Sequence, residues 1–334
     1  MAAHEPALEA IDLFAGAGGL SLGLEAAGFA FIAAVESEPE AGATYRNHHR
    51  GAIVHEQDIA TVDFRPMRGT VALVAGGPPC QPFSVGGKRL AANDARNGIP
   101  QFLRAVAEIG PKAFLMENVA GLVASTKRAY FCEVVGQLER LGYSTTWRVL
   151  QAADYGVPQK RPRLFVVGIR GRAFCFPTPT HGPLAGRPWR AAGAMVDPGH
   201  PSGQPNQAIV TYARHPSLRP DPYHGHLFNG GGRPMELSRP SPTMLASMGG
   251  NKTPWLDTLG VVPAYHAHLA AGGPPRQGQV PGARRLTVDE AALLQTFPPR
   301  TAFVGRRTSQ YRQIGNAVPP LLAEQLGRAL REQL

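Results

Sequence analysis

Residues 171–285 hold 18 prolines and 17 glycines in 115 positions, against 14 and 22 in the other 219. Proline removes a backbone donor and fixes φ, so such a stretch excludes long helices and leaves loops, turns and short strands. Up to about Arg170 the texture differs. Short apolar runs at 10–14, 31–35, 71–75, 113–116 and 164–169 alternate with amphipathic stretches near 20–27, 38–48, 101–109 and 128–141. That alternation is the pattern of βαβ units on a parallel sheet. After 285 the helical pattern returns. Thr287-Val-Asp-Glu290 reads as a capping box opening a helix to about 295, and Pro319-Pro320 precedes an amphipathic helix to about 332. The expected organisation is an α/β domain of residues 1–170 plus 286–334 and a smaller, loop-rich domain of residues 171–285. The C-terminal segment, too short to bury a core alone, packs back onto the first domain.

Composition narrows the class. A hydrophobic fraction of 43% is enough for an ordinary core and excludes a disordered chain. No apolar run approaches the ~20 residues that cross a bilayer, which excludes a membrane protein, and the N-terminus lacks the basic and apolar regions of a secretion signal. Three scattered cysteines (Cys80, Cys132, Cys175) argue against disulfides and zinc knuckles and fit a reducing cytosol. The net charge is +10, and 29 of the 34 cations are arginine. Residues 171–285 carry ten Arg and Lys252 against Asp197, Asp221, Glu236 and Asp257, so +7 of the +10 lies there. A basic face for a polyanion is one reading; a chain simply rich in Arg, Ala, Gly and Pro is the other.

Four segments carry chemistry. Ile11-Asp-Leu-Phe-Ala-Gly-Ala-Gly-Gly19 is a strand entering a glycine turn and then a helix, whose N-terminal N–H groups suit a carboxylate or phosphate. Glu36 ends the next strand, where a carboxylate can accept both ribose hydroxyls, and Asp58 can accept from an adenine amino group. A tight structural turn is the alternative. Gly76-Gly-Pro-Pro-Cys-Gln-Pro-Phe-Ser84 follows an apolar strand, and its three prolines stiffen the loop around Cys80. That polar, rigid setting suits a positioned thiolate, whereas Cys132 and Cys175 read as inert core residues. Gly86-Gly87 with Lys88, Arg89 and Arg96 reads as a mobile basic flap. Met116-Glu-Asn-Val119 ends a strand in Glu117, either a surface acid or, beside Cys80, a general acid. Gln159-Lys-Arg-Pro-Arg163 places Gln159, Arg161 and Arg163 on one face if extended, or forms a solvated basic edge. His224-Gly-His226 and His266-Ala-His268 lack a carboxylate or cysteine at ligand spacing, so they read as surface loops and no metal site is expected.

Taken in order, Asp-Leu-Phe-Ala-Gly (12–16), Pro-Pro-Cys-Gln (78–81), Glu-Asn-Val (117–119), Gln-Lys-Arg-Pro-Arg (159–163), Arg-Arg-Leu-Thr (284–287) and Gly-Asn-Ala-Val (315–318) resemble the bacterial DNA cytosine-5 methyltransferases. The resemblance runs from residue 11 to about 330, with a variable region at 171–285. It implies a Rossmann-like S-adenosylmethionine-dependent methyltransferase fold, a mostly parallel sheet with helices on both faces, plus a loop-rich DNA-recognition domain. By the same match Cys80 adds to the cytosine C6 carbon, Glu117 protonates or hydrogen-bonds N3, Asn118 orients the loop, Arg163 contacts O2 and Arg161 supports the covalent intermediate. The activated C5 carbon takes the methyl group, leaving S-adenosylhomocysteine. Cofactor contacts fall on Phe14 (adenine), Ala15, Gly16, Gly18, Gly19, Glu36 (ribose), Asp58 (amino group), Ile59, Gly77 and Pro78, with Asn316 and Val318 at the methionine end.

The target carbon is unreachable in a duplex, so the cytosine is flipped out, at a few kcal/mol of unstacking, under a flap at 84–99. DNA contacts are expected from Ser84, Lys88, Arg89, Arg96, Gln159, Arg233 and Thr243. Ser241-Pro-Thr-Met244 resembles the family's Thr-Leu pair, with Met244 in the place of Leu. The implied partner is double-stranded DNA. The implied enzyme is a cytoplasmic, nucleoid-associated monomer, solitary or paired with a separately acting restriction endonuclease. Three alternatives stay open: an RNA-acting relative, for whose Cys-Phe-Thr element Phe174-Cys-Phe-Pro-Thr178 is only an echo; an idle DNA-binding regulator, although every catalytic position is filled; and a nicotinamide dehydrogenase, which needs no Pro-Pro-Cys loop.

Overall fold

A computed structural model describes residues 8–79, 98–183, 185–229 and 232–334. The chain divides into two compact units, Met1–Tyr155 with Pro162–Thr180 and Ala317–Leu334, and Gly156–Arg161 with His181–Asn316.

In the first unit, β1 (Leu8–Leu13), α1 (Gly19–Ala26), β2 (Phe29–Val35), α2 (Pro39–His48), β3 (Ile53–His55), β4 (Leu73–Gly76), α3 (Ile99–Ile109), β5 (Ala113–Val119), α4 (Arg128–Arg140), β6 (Tyr143–Gln151) and β7 (Pro162–Arg170) build a seven-stranded sheet of order β3-β2-β1-β4-β5-β7-β6. The first five strands pair in parallel. Apart from β3 they read as largely apolar runs because both faces are covered. Ile11 and Leu13 join Phe102 and Val106 of α3 and Phe131, Val134 and Leu138 of α4 in one core. Asp12, on the opposite face, accepts a hydrogen bond at Oδ2 from Ser21 of α1. The last helix of this unit packs along α1, where a β-carbon on Gly23 would sit 2.2 Å from the carbonyl oxygen of Pro320. Only glycine allows that approach.

Two strands carry no strong apolar pattern in the sequence. β3 is three residues long and half exposed, and β6 is an edge strand whose Trp147 and Val149 stay partly exposed. The sheet is mostly parallel, as expected, and reverses at one strand. β7 runs antiparallel to both β5 and β6, because only residues 152–161 separate β6 from β7, too few for a helical crossover.

The second unit holds β8 (Tyr212–Ser217) paired antiparallel with β9 (His226–Phe228), and a three-stranded sheet of β10 (Pro234–Met235), β11 (Trp255–Asp257) and β12 (Ala283–Arg285). Its core gathers Phe228, Trp255, Tyr265 and Val280, with the Phe228 and Trp255 rings edge to face at 5.0 Å. The proline-rich region does contain a helix, α5 (Val261–Ala270). Both Asp257 carboxylate oxygens accept from its first N–H groups, on Val261 (2.9 Å) and Val262 (2.7 Å). Pro263 falls in the first turn, where no intrahelical donor is needed. His266 and His268 lie on this helix, not in the loops expected, and face the carbonyls of Arg219 and Pro274.

The compact units part elsewhere than at 170/171 and 285/286. Residues 171–180 belong to the first unit, held by Thr180 N–H to the Asp154 carbonyl (2.9 Å) and by paired hydrogen bonds between Cys175 and Gln333. Residues 286–316 belong to the second, as α6 (Val288–Leu294) and α7 (Arg307–Asn316); α8 (Pro320–Arg331) returns to the first. The Thr287–Glu290 capping box forms in full, and buried Glu290 also pairs with Arg284 of β12, which ties α6 to the second unit. The Tyr311 hydroxyl of α7 donates to the Leu286 carbonyl (2.5 Å).

Thr287→Ala removes the cap on the Glu290 N–H and should lower unfolding stability by about 1 kcal/mol, read as a lower urea midpoint of the far-UV signal. Thr287→Ser should retain most of it, and equal losses for the two variants would show that the cap is not what Thr287 contributes.

Candidate active site

In the first unit the parallel strands deliver their carboxyl ends to one edge of the sheet, where α/β folds bind ligands. β1 ends in Phe14, which is half-buried at a left-handed φ of 59°. A non-glycine residue rarely holds that conformation. The Phe14 ring lies against Pro79 and Gly98, where a β-carbon on Gly98 would come within 2.8 Å of it. Ala15 is buried and Gly16 is open, since a β-carbon there would meet nothing within 4 Å. Gly18 caps α1 at φ 81°, and Gly19 starts the helix.

β2 delivers Glu36. One carboxylate oxygen accepts from Gly16 N–H and the other from Glu38 N–H, each at 2.7 Å. Burial pushes this carboxyl above its ordinary range, and those N–H groups pull it back. Each oxygen keeps a second acceptor site for a hydroxyl. Beyond β3, exposed Asp58 caps a short 3₁₀ turn through Ala60 N–H, which buries Ile59. Val318 is buried in the same unit. An open glycine turn, a carboxylate fixed beside it, an exposed second acid and an aromatic ring together fit a nucleoside carrying an amino-acid tail, so the residues present suit S-adenosylmethionine.

β4 and β5 deliver the reactive groups. Pro78 is buried, and its carbonyl accepts from the Asn118 side-chain amide at 2.9 Å, so Asn118 ties the loop that precedes Cys80 to the end of β5. A β-carbon on Gly77 would stand 3.2 Å from Glu117 Oε2. Arg163, at the start of β7, pairs with Glu117, its Nε 3.1 Å from Glu117 Oε1. Burial presses this guanidinium below its usual value while Glu117 opposes the change. Cys80, Ser84, Lys88, Arg89 and Arg96 lie outside the described residues. Cys132 and Cys175 are exposed, not the core residues expected: the buried face of α4 is taken by Phe131, Val134 and Leu138, and Cys132 falls off it.

In the second unit, residues 159 and 161 act as internal struts. Gln159 is fully buried; its amide donates to Gln295 Oε1 at 2.6 Å and its oxygen accepts from Met244 N–H at 2.9 Å. It has no surface for a DNA contact, which corrects that expectation. Arg161, 1% exposed, donates to the carbonyls of Met244 (2.9 Å) and Gly315 (2.7 Å). Met244 is therefore clamped at both backbone groups with its side chain wholly buried. Thr243 Oγ1 donates to the Lys160 carbonyl at 2.7 Å, and Leu245 is 56% exposed. Thus Leu245, not Met244, is the outward apolar neighbour of Thr243. Arg233 and Asn316 are exposed.

One buried group carries no expectation from the sequence. Asp12 accepts from Ser21 Oγ at 2.5 Å, and the Tyr45 hydroxyl, 2.9 Å from that oxygen, donates to it in turn. Burial, with Glu36 and Glu25 nearby, raises the Asp12 carboxyl to about 7. An acid inside the apolar run Ile11-Asp12-Leu13 was the available signal.

This parallel sheet with its glycine turn, acidic strand end and paired Glu117 and Arg163 defines an α/β enzyme of the methyltransferase class. The C-5 cytosine-specific DNA methylase family model matches residues 8–181 and 247–332. Type II methyltransferase M1.HphI of Haemophilus parahaemolyticus is 36% identical over 335 residues, covering 96% of this chain and 86% of that protein. Type II methyltransferase M.NgoMIV of Neisseria gonorrhoeae is 34% identical over 345 residues, covering 97% of each. A DNMT2 variant structure from Spodoptera frugiperda shares the fold at TM-score 0.73 and 18% identity, over 97% of this chain and 100% of that one. The methyltransferase EhMeth of Entamoeba histolytica does so at TM-score 0.70 and 17% identity, over 98% and 99%. The chain belongs to the C-5 cytosine-specific DNA methylases. It is a DNA cytosine-5 methyltransferase that uses S-adenosylmethionine, and the family reaction passes through a covalent bond to an enzyme cysteine.

Asp12 gives a pH prediction. Its folded-state carboxyl titrates at about 7, above the ordinary 3.8, so the folded protein keeps a proton that the unfolded chain releases. Stability should fall between about pH 4 and pH 7, by on the order of 4 kcal/mol, and level off above. Asp12→Asn should flatten that slope in denaturant titrations; an unchanged slope would place its cause elsewhere.

Proposed function

We propose that Cys80 is the nucleophile and that Glu117, Arg161 and Arg163 complete the catalytic set. The Cys80 thiolate adds to C6 of a flipped-out cytosine, and the electron pair displaced from the C5–C6 bond makes C5 nucleophilic. Glu117 donates a hydrogen bond or proton at N3 so that charge does not build on the ring, and Arg163 donates to O2. S-adenosylmethionine, held by Phe14, Ala15, Gly16, Gly18, Gly19, Glu36, Asp58, Ile59, Gly77, Pro78, Asn316 and Val318, supplies an electrophilic methyl group. Once methylated, C5 loses its proton to solvent and Cys80 leaves as thiolate. The observation that carries this reading is the Arg163–Glu117 pair at 3.1 Å, beside the loop that Asn118 fixes through Pro78.

Arg161 supports the site through backbone, since the structure commits it to the Met244 and Gly315 carbonyls one residue before Asn316. The region 171–285 reads the sequence of double-stranded DNA, with Thr243, Leu245 and Arg233 contributing there and Ser84, Lys88, Arg89 and Arg96 contacting the substrate. The residues of 1–170 and 286–334 serve catalysis and cofactor binding. The relatives named Type II methyltransferases support a modification role beside a separately acting restriction endonuclease. In this reading the protein is a cytoplasmic monomer on the nucleoid. Among the described residues no helix is long and apolar enough to cross a membrane.

Cys80→Ser should abolish transfer of labelled methyl groups to duplex DNA while S-adenosylhomocysteine still binds. Glu117→Gln should slow transfer by about 10²- to 10⁴-fold. Bisulfite sequencing of DNA from expressing cells should show 5-methylcytosine at one short motif. A Cys80→Ser protein that methylates normally would overturn the assignment.

A further inference from the structure

His49 closes α2 and lies under the glycine turn. Its side chain is wholly buried, with Nδ1 2.9 Å from Glu25 Oε2 of α1 and Nε2 3.2 Å from the Gly18 carbonyl oxygen. Both neighbours are acceptors. A neutral imidazole has one donor and one acceptor nitrogen and satisfies only one of them; an imidazolium satisfies both. The Glu25 side chain is 32% exposed, so water as well as the ring solvates it. The other titratable groups packed here are acidic. Tyr45 stacks on the imidazole at 4.1 Å, and Asp12, joined to Tyr45 through Ser21, stands in the field of Glu25 and Glu36. A β-carbon on Gly18 would fall 2.3 Å from Nε2, so ring and turn are in direct contact. The Gly18 carbonyl also accepts the first hydrogen bond of α1, from Leu22 N–H at 2.9 Å.

We infer that His49 is a positioning residue for cofactor binding: held by Glu25 and donating from both ring nitrogens, it fixes the Gly18 carbonyl and with it the turn. This rests on reading residues 14–19 as part of the cofactor site. The positive ring also sits at the N-terminal end of α1, adding to the field that favours a ligand carboxylate.

The test uses the full-length protein. Nitrogen-15 spectra at about pH 6 should show both His49 ring nitrogens protonated, a readout that needs no ligand; a singly protonated ring would overturn the inference. Calorimetric titration with S-adenosylhomocysteine at about pH 6 should show His49→Asn and Glu25→Gln binding about tenfold more weakly than wild type, with kcat at saturating cofactor within about threefold. Variants that bind as tightly as wild type would overturn the inference. Wild-type protein that binds no S-adenosylhomocysteine at any pH would instead sink the cofactor reading, and this inference with it.

Discussion

Arg163 reaches Glu117 because β7 runs against β5. Parallel pairing with β4 carries β5 to the ligand-binding edge at its carboxyl end, where Glu117 sits opposite Phe165 and Val119 opposite Arg163. An antiparallel neighbour presents its first residues at that edge, and two residues diagonal across an antiparallel pair on one face lie within reach of long side chains. Were β7 parallel, its far end would be there instead. That far end carries Arg170, which is used differently: it hydrogen-bonds the carbonyls of Pro111 and Leu141 and lies over the Tyr143 ring. Two arginines of one strand thus serve opposite edges of the sheet, one an acid and the other a set of backbone carbonyls.

The strand cores, the helices of the first unit and the capping box are legible because each follows from local pattern: apolar runs, 3.6-residue periodicity, and a Thr–Glu spacing of three. Phe14, Glu36 and Glu117 are legible for a further reason. In a parallel α/β sheet the residue that ends a strand faces the ligand edge, so placing the strand places the side chain. Strand direction is not legible, since Leu164 to Ile169 reads as the same apolar run in either sense. Nor was the helix at 261–270 expected, because proline density was counted without asking where the proline falls. Pro263 occupies one of the few helical positions that tolerate it.

The buried polar groups were hidden for a different reason. Gln159 and Arg161 have the alternate spacing of an exposed, basic, extended segment, which suggests outward contacts. Their partners, Met244, Gln295 and Gly315, lie 83 to 154 positions away in the chain. No local pattern encodes such a partner. The same is true of Asp12 with Ser21 and Tyr45, and of His49 with Glu25 and Gly18. These acceptors and donors must be satisfied once buried, and the fold meets that demand with side chains that bracket functional loops. Buried polar networks therefore collect beside the glycine turn and the 241–245 segment, where backbone has to be held still without regular secondary structure.

That accounting also changes the meaning of the charge. The excess of +7 over residues 171–285 does not all face solvent. Arg285 is 1% exposed, with its guanidinium donating to the carbonyls of Ala208, Thr253 and Ile209, and burial lowers it from its usual value. Arg284 pairs with buried Glu290 and donates to the Asp197 and Pro198 carbonyls, while Arg239 lies between Asp221 and Glu236. A region poor in helices and strands leaves many carbonyls without ladder partners, and the five-donor fork of arginine suits several of them at once. Part of the arginine content thus holds a loop-rich unit together, and fewer of its cations are displayed at the surface, as Arg233 is, than the sequence count suggests.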